Sequence, residues 1–235
     1  MKSIGIIAAM PGELKPLVQR WKPLNLPNAG KGEAAWRGKL EGAECIAVCA
    51  GMGQQAAERA CAIASQQVSL TAVVSIGWAG ALSCGVQPAN AYVINEVIDG
   101  KTTERFATTN SIRQGNPAIL KLVTIDHVAL PPEKRKLAES FRAVLVDMEA
   151  ATVARYARAH GLDFYCLKAV SDLAGEILPD FSQYTDTQGQ LQLPALLAHV
   201  AIRPRYWPAL ARLGQNGKRG AVAIAAAMDS LVGGV

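Results

Sequence analysis

Ile4-Gly5-Ile6-Ile7-Ala8-Ala9 is an unbroken apolar run, followed at once by Met10-Pro11-Gly12-Glu13. A run without polar alternation is what a strand buried on both faces requires. The residues after it, from Gly12 to about Arg20, read as helix. The same unit recurs. Ala72–Ile76 is a second buried strand and ends in a turn, Gly77-Trp78-Ala79-Gly80. Val144–Val146 is a short strand running into a helix at Glu149–His160. Phe164–Val170 is the last clear strand, and Ser171-Asp172 opens a polar loop reaching about Gly189. Between these lie a hairpin, Ala34–Lys39 with Glu44–Cys49 joined through Glu41-Gly42, and an Ala-rich helix over Gln54–Gln66. Ala91–Val97 and Ile119–Thr124 are further strand candidates, Pro132–Phe141 is helical, and two or three helices close the chain. Alternating strands and helices predict an α/β fold: a single-domain α/β/α sandwich around a mixed, largely parallel central sheet. Residues 1–200 form its body and 201–235 a basic helical C-terminal extension.

Composition agrees. Half of the 235 residues are apolar and 18% are charged, which excludes a disordered chain. A domain of this size encloses roughly 70% of its unfolded surface and needs no disulfide or metal staple. No segment approaches the roughly 18 uninterrupted apolar residues of a membrane span. The apolar run at the start is too short for a signal peptide and is ended by Pro11 and Glu13. The five cysteines are odd in number, lie mostly in apolar stretches and form no Cys-x-x-Cys pair. Reduced structural cysteines in a cytoplasmic protein follow, with neither a zinc site nor a thiol nucleophile.

The net charge of +5 has a local origin. No acid lies between Thr187 and Met228, while Arg203, Arg205, Arg212, Lys218 and Arg219 do. These surround Tyr206, Trp207, Leu210 and Leu213 in a helical stretch broken by Pro204 and Pro208. A solvated helix packing its apolar face on the body explains them; the sharper alternative is a peripheral membrane contact, residues 203–219 resting on anionic lipid. No nucleic-acid motif accompanies the charge, and nucleic acid is not an expected partner.

Ligands of open α/β sheets gather beyond the carboxyl ends of the strands. Gly51-Met52-Gly53-Gln54-Gln55-Ala56 matches a dinucleotide glycine turn superficially, but the next strand ends Ser75-Ile76-Gly77-Trp78 without the acid that would hold a ribose. A tight turn with close helix packing is the simpler reading. Three acids stand at strand ends. Asp172, after a buried strand and beside Ser171, is either a helix N-cap or a carboxyl group handing a proton to a leaving group. Glu149 and Glu13 each stand near a helix start, where negative charge is favourable in any protein. Any one acid is ordinary, whereas three on one rim are less easily dismissed.

Gly5-Ile6-Ile7-Ala8-Ala9-Met10-Pro11-Gly12-Glu13 resembles the opening of the methylthioadenosine/S-adenosylhomocysteine nucleosidases. Gly38 to Gly42 with Cys49 to Gly53, Val74 to Leu82, Val146-Asp147-Met148-Glu149-Ala150-Ala151 and Val170-Ser171-Asp172 are similar to their later motifs, in the same order from about residue 3 to 175. The wider family is the purine nucleoside phosphorylase/uridine phosphorylase superfamily. The resemblance implies cleavage of the N-glycosidic bond of a 5′-substituted adenine nucleoside, by water or by phosphate as co-substrate. Asp172 would protonate the base at N7. Glu149 would accept from the ribose hydroxyls with Met148 packed on the sugar, and Glu13 would orient or deprotonate the attacking water. Met10, Gly77, Trp78, Ala79, Gly80 and Ser171 would line the substrate, with Val128 and Ala129 along the purine. No metal or organic cofactor is implied, and the family's habit of completing sites between subunits implies a homodimer or larger homo-oligomer. Ser75 replaces an arginine that phosphorylases bring to phosphate, and Trp78 replaces a small hydroxyl residue. Glu13 alone remains of a glutamate cluster. The Ser-x-Gly-x-Ala-Gly segment, Val-Asp-Met-Glu and Pro179 also resemble a subgroup of hopanoid-associated phosphorylases, which implies adenosylhopane as an alternative substrate. A nucleoside-binding protein without turnover is the alternative of another class.

Overall fold

The opening run forms β1 (Ser3–Ala8), fully buried, and Met10 then leads into α1 (Pro11–Val18). The computed structural model describes residues 2–27, 30, 32–110, 120–179, 184, 192 and 200–233. β2 (Lys22–Leu24) lies on the edge, where Pro23 costs no ladder bond. β3 (Ala34–Leu40) and β4 (Ala43–Cys49) form the expected hairpin, with Glu41 and Gly42 both at positive φ in its two-residue turn. After α2 (Gln54–Gln67) come β5 (Ala72–Ala81), β6 (Ala91–Val93), β7 (Glu96–Asp99), β8 (Arg105–Ala107) and β9 (Lys121–Thr124). The chain continues through α3 (Pro131–Phe141), β10 (Leu145–Asp147), α4 (Ala150–His160) and β11 (Asp163–Asp172), to α5 (Trp207–Gly233).

Among the described residues eleven strands make one mixed sheet in the order β2-β3-β4-β1-β5-β10-β9-β7-β8, with β11 beside β5 and β6 beside β11. β1 is parallel to both β4 and β5, and β5 is parallel to β11. Its two faces carry separate cores. Ile7, Val48, Val73 and Cys166 pack with Ala60 and Cys61 of α2 and Val153 and Ala154 of α4. Ile6, Val74, Tyr165 and Leu167 pack with Leu14 of α1 and Ile224, Met228 and Leu231 of α5. This is the α/β/α sandwich expected.

Several boundaries differ from the sequence reading. Gly77–Gly80 is not a turn, because β11 keeps pairing with β5 through Trp78 and Ala79 and holds it extended. Ser171 and Asp172 likewise belong to β11, whose register shifts between Val170 and Asp172. The run Ala91–Val97 divides at Ile94 and Asn95 into β6, paired to β11, and β7, paired to β9. Pro208 does not break α5; it occupies the first turn, where its missing N–H has no intrahelical partner to lose. Ile119 and residues 180–183 and 185–189 of the polar segment lie outside the described residues.

α5 is integral to the domain. Gly220 rides so close to β11 that a Cβ there would meet Ala169 Cβ at 2.8 Å. Of the five basic residues expected on its surface, Arg212 is bound to Glu176 at 2.5 Å and Lys218 faces a cavity. All five cysteines are free. Burial pushes the Cys45 and Cys49 thiols up to about 11 and those of Cys61 and Cys166 to about 12, so these four are not ready thiolates.

Candidate active site

Beyond the carboxyl ends of β1, β10 and β11 lies a cavity of about 770 Å³. Met10, Glu13, Trp78, Ala79, Gly80, Val128, Ala129, Met148, Glu149, Ser171 and Asp172 all line it. Gly77 does not. It lies one layer behind, buried at φ +139°, and a Cβ there would stand 2.7 Å from Glu13 Oε1. Its role is to let that carboxylate lie against the β5 backbone.

Glu13 is fixed by three amides. Ala9 and Met10 N–H donate to Oε2 and Trp78 N–H to Oε1, each at 2.8 Å. The Met10 bond closes the first turn of α1, so the ordinary helix-start explanation holds in part, but the Trp78 bond crosses to another strand. Burial raises Glu13 above the usual carboxylate range, and the three amides and the Lys168 ammonium oppose that rise.

Glu149 stands at the N-cap of α4 without capping it. Asp147 Oδ2 takes the Ala150 N–H instead, at 3.0 Å, and Glu149 Oε1 accepts from Gly53 N–H at 2.7 Å. The glycine turn after β4 thus serves to bring an amide to Glu149. Burial is the largest influence on this acid and Asp147 adds to it, pushing Glu149 up to about 7 against the pull of Lys168.

Asp172 ends β11 and is almost wholly buried. Its Oδ1 lies 2.6 Å from Ser171 Oγ, which is also 3.2 Å from the Ala79 carbonyl. A hydroxyl has one proton. Either Ser171 donates to Asp172, or a protonated Asp172 donates to Ser171, which then donates to Ala79. The Ser171 hydroxyl can thus act as donor or as acceptor toward the carboxyl group. Its Oδ2 contacts the ammonium of Lys134, which also donates to the Leu173 carbonyl at 2.9 Å.

Sequence reasoning missed two parts of this site. Lys134 sits among Glu133, Arg135 and Lys136 on α3, a charge run with nothing to mark one member as buried. The second part is the wall from α5, where Leu210, Leu213, Gly217, Lys218 and Ala221 face the cavity across from Lys15 and Pro16 of α1. Trp78 locks this wall in place: its Nε1 donates to the Gly217 carbonyl at 3.0 Å. Its ring fills the space beside Gly12 and Gly217, where an added Cβ would meet it at 3.2 Å in each case. Asn216 completes the junction by donating to the Ser171 carbonyl at 3.0 Å. At the rim, His127 lies between Asp126 at 2.7 Å and Glu133 at 2.9 Å, and these acids raise its titration. Ser75 is buried in β5, off the cavity wall.

The fold has many solved counterparts. The methylthioadenosine/S-adenosylhomocysteine nucleosidase of Helicobacter pylori superposes with a TM-score of 0.73 at 17% identity, over 100% of this chain and 99% of that one. The corresponding nucleosidase of Neisseria meningitidis, solved with methylthio-immucillin-A, gives 0.73 at 18% identity over 100% of both chains. The futalosine hydrolase of Helicobacter pylori gives 0.72 at 17% identity, over 100% and 98%. A search among curated proteins gave no match in sequence. The family model of the phosphorylase superfamily matches residues 3–130 and 105–201. Most of the chain thus falls within that model, and the protein belongs to the phosphorylase superfamily, as an enzyme of the nucleosidase and nucleoside phosphorylase class.

Proposed function

We propose that the protein cleaves the N-glycosidic bond of a purine nucleoside substituted at the 5′ position, releasing adenine. The observation that carries this reading is the meeting, in one cavity, of Asp172, held by Ser171 and Lys134, with two further acids, Glu13 and Glu149, each bound by amides of other segments. Cleavage places positive charge on the ribose and negative charge on the base. Asp172 gives a proton to N7 of the departing base. Glu149, as a carboxylate, accepts hydrogen bonds from the ribose hydroxyls, and Met148 packs against the sugar. Glu13, anchored by amides but with lone pairs remaining, orients the attacking water. A negative charge at Glu13 disfavours phosphate in the same place, which supports water as nucleophile.

The rest of the cavity suits the 5′ substituent. Pro16, Leu178, Val200, Leu210 and Leu213 line it with apolar side chains. That lining supports a second reading, a lipid-linked adenine nucleoside such as adenosylhopane. The test is a panel of methylthioadenosine, adenosylhomocysteine, 5′-deoxyadenosine and adenosylhopane, with and without phosphate, read by product mass. Adenine and free sugar are expected, with turnover rising as the 5′ group becomes more apolar. A sugar 1-phosphate would instead make the enzyme a phosphorylase. Binding without release from any member would leave a nucleoside-binding protein.

A further inference from the structure

Arg135 and Lys136 are exposed on α3, yet Lys134 beside them is 2% exposed. A buried ammonium is costly to desolvate and is kept only where it is paired. Its partners are Asp172 Oδ2 and the Leu173 carbonyl, and both Lys134 and Asp172 lie on the cavity wall. Glu133, its neighbour in sequence, is engaged with His127, and Glu176, which takes the Leu173 N–H, is engaged with Arg212. The ammonium is therefore directed at one carboxyl group.

We propose that Lys134 is a positioning residue for base departure, acting through Asp172: its ammonium pairs with the carboxylate that Asp172 becomes on giving up its proton. The inference rests on the N-glycosidic reading above. The C1′–N9 bond breaks with both electrons leaving on the base, and the proton of Asp172 moves to N7. Lys134 keeps all three of its protons and balances the charge left on Asp172. Water then bonds to C1′, and its surplus proton restores the carboxyl group. A leaving group that departs as a stable anion needs none of this assistance.

Two substrates separate the roles: methylthioadenosine, and 4-nitrophenyl ribofuranoside carrying the same 5′-methylthio group, whose nitrophenolate leaves without a proton. With methylthioadenosine, Asp172→Asn should lower kcat by about 10²- to 10⁴-fold and Lys134→Gln by about 10- to 100-fold. With the nitrophenyl substrate both variants should stay within about threefold of wild type. Lys134→Arg, which keeps the charge, should recover part of the loss on methylthioadenosine alone. Lys134→Met carries the same expectation as Lys134→Gln should the glutamine variant fail to fold. Equal losses on both substrates, or no loss in the Lys134 variants while Asp172→Asn remains selective, would overturn the role of Lys134. An unselective Asp172→Asn, or a wild type releasing neither product, would overturn the N-glycosidic reading itself.

Discussion

Among the described residues two lysine–carboxylate pairs are buried, both reaching β11, and they are built differently. Lys168 contacts Asp147 at 2.9 Å, with side chains 1% and 0% exposed. Asp147 also takes the Thr124 hydroxyl at 2.6 Å and the Ala150 N–H, while Lys168 reaches the Ile76 carbonyl at 3.3 Å. Neither residue lines the cavity. Five segments, β5, β9, β10, β11 and the start of α4, are tied together by groups satisfied entirely within the protein. The Lys134–Asp172 pair is nearly as buried, yet both members present an edge to the cavity. Burial alone does not distinguish a structural ion pair from a chemical one. The distinction lies in whether the pair has a face left for a ligand.

Breaking the inner pair tests this most strongly. Lys168→Met strands Asp147 and should cost roughly 3–5 kcal/mol of stability in urea unfolding at pH 7. Lys134→Met should cost clearly less, because cavity water reaches Asp172. Equal costs would erase the contrast. Lys168→Met should also push Glu149 further up, since it removes the charge that opposes the rise.

The next effect concerns Glu149, on which both members of the inner pair act. Its folded value of about 7 exceeds its ordinary value of 4.5, so the folded protein binds the extra proton between those limits. Stability should therefore be greatest below about pH 4.5 as far as this residue is concerned, and fall as pH rises to about 7. Glu149→Gln should flatten that slope, amounting to roughly 1–3 kcal/mol. Catalysis should move the other way. If ionised Glu149 holds the ribose, kcat/KM rises through about pH 7 while stability declines, and parallel changes would sink that assignment. The smallest effect is Trp78→Phe, which removes the bond to Gly217 and should cost about 1 kcal/mol by thermal unfolding. Because α5 holds Ser171 through Asn216, turnover should fall a few-fold while the inner pair is untouched.

Much of this was legible in the residues. Apolar runs such as Ile4–Ala9 announced buried strands, and the polar residues following them were those that gathered at the cavity. Local rules misled where a neighbour overrode them. Glycine and serine suggested turns at Gly77 and Ser171, but β5 and β11 support each other beyond those signals. Lys134 carried no signal at all, because one buried lysine in a basic run is decided by how α3 docks. The wall from α5 was hidden for the same reason. An Ala- and Gly-rich stretch can pack almost anywhere, and its place is set by the notch that Trp78 fills.

That notch has a consequence for how the enzyme comes into being. During synthesis, α5 leaves the ribosome after every strand of the sheet, while Glu13 and Trp78 have long been waiting. The nascent chain can bring the cavity's acids together and still expose an open trough. Only when α5 docks does Trp78 acquire its acceptor and the trough its wall, so the cavity is completed late in the making of each molecule.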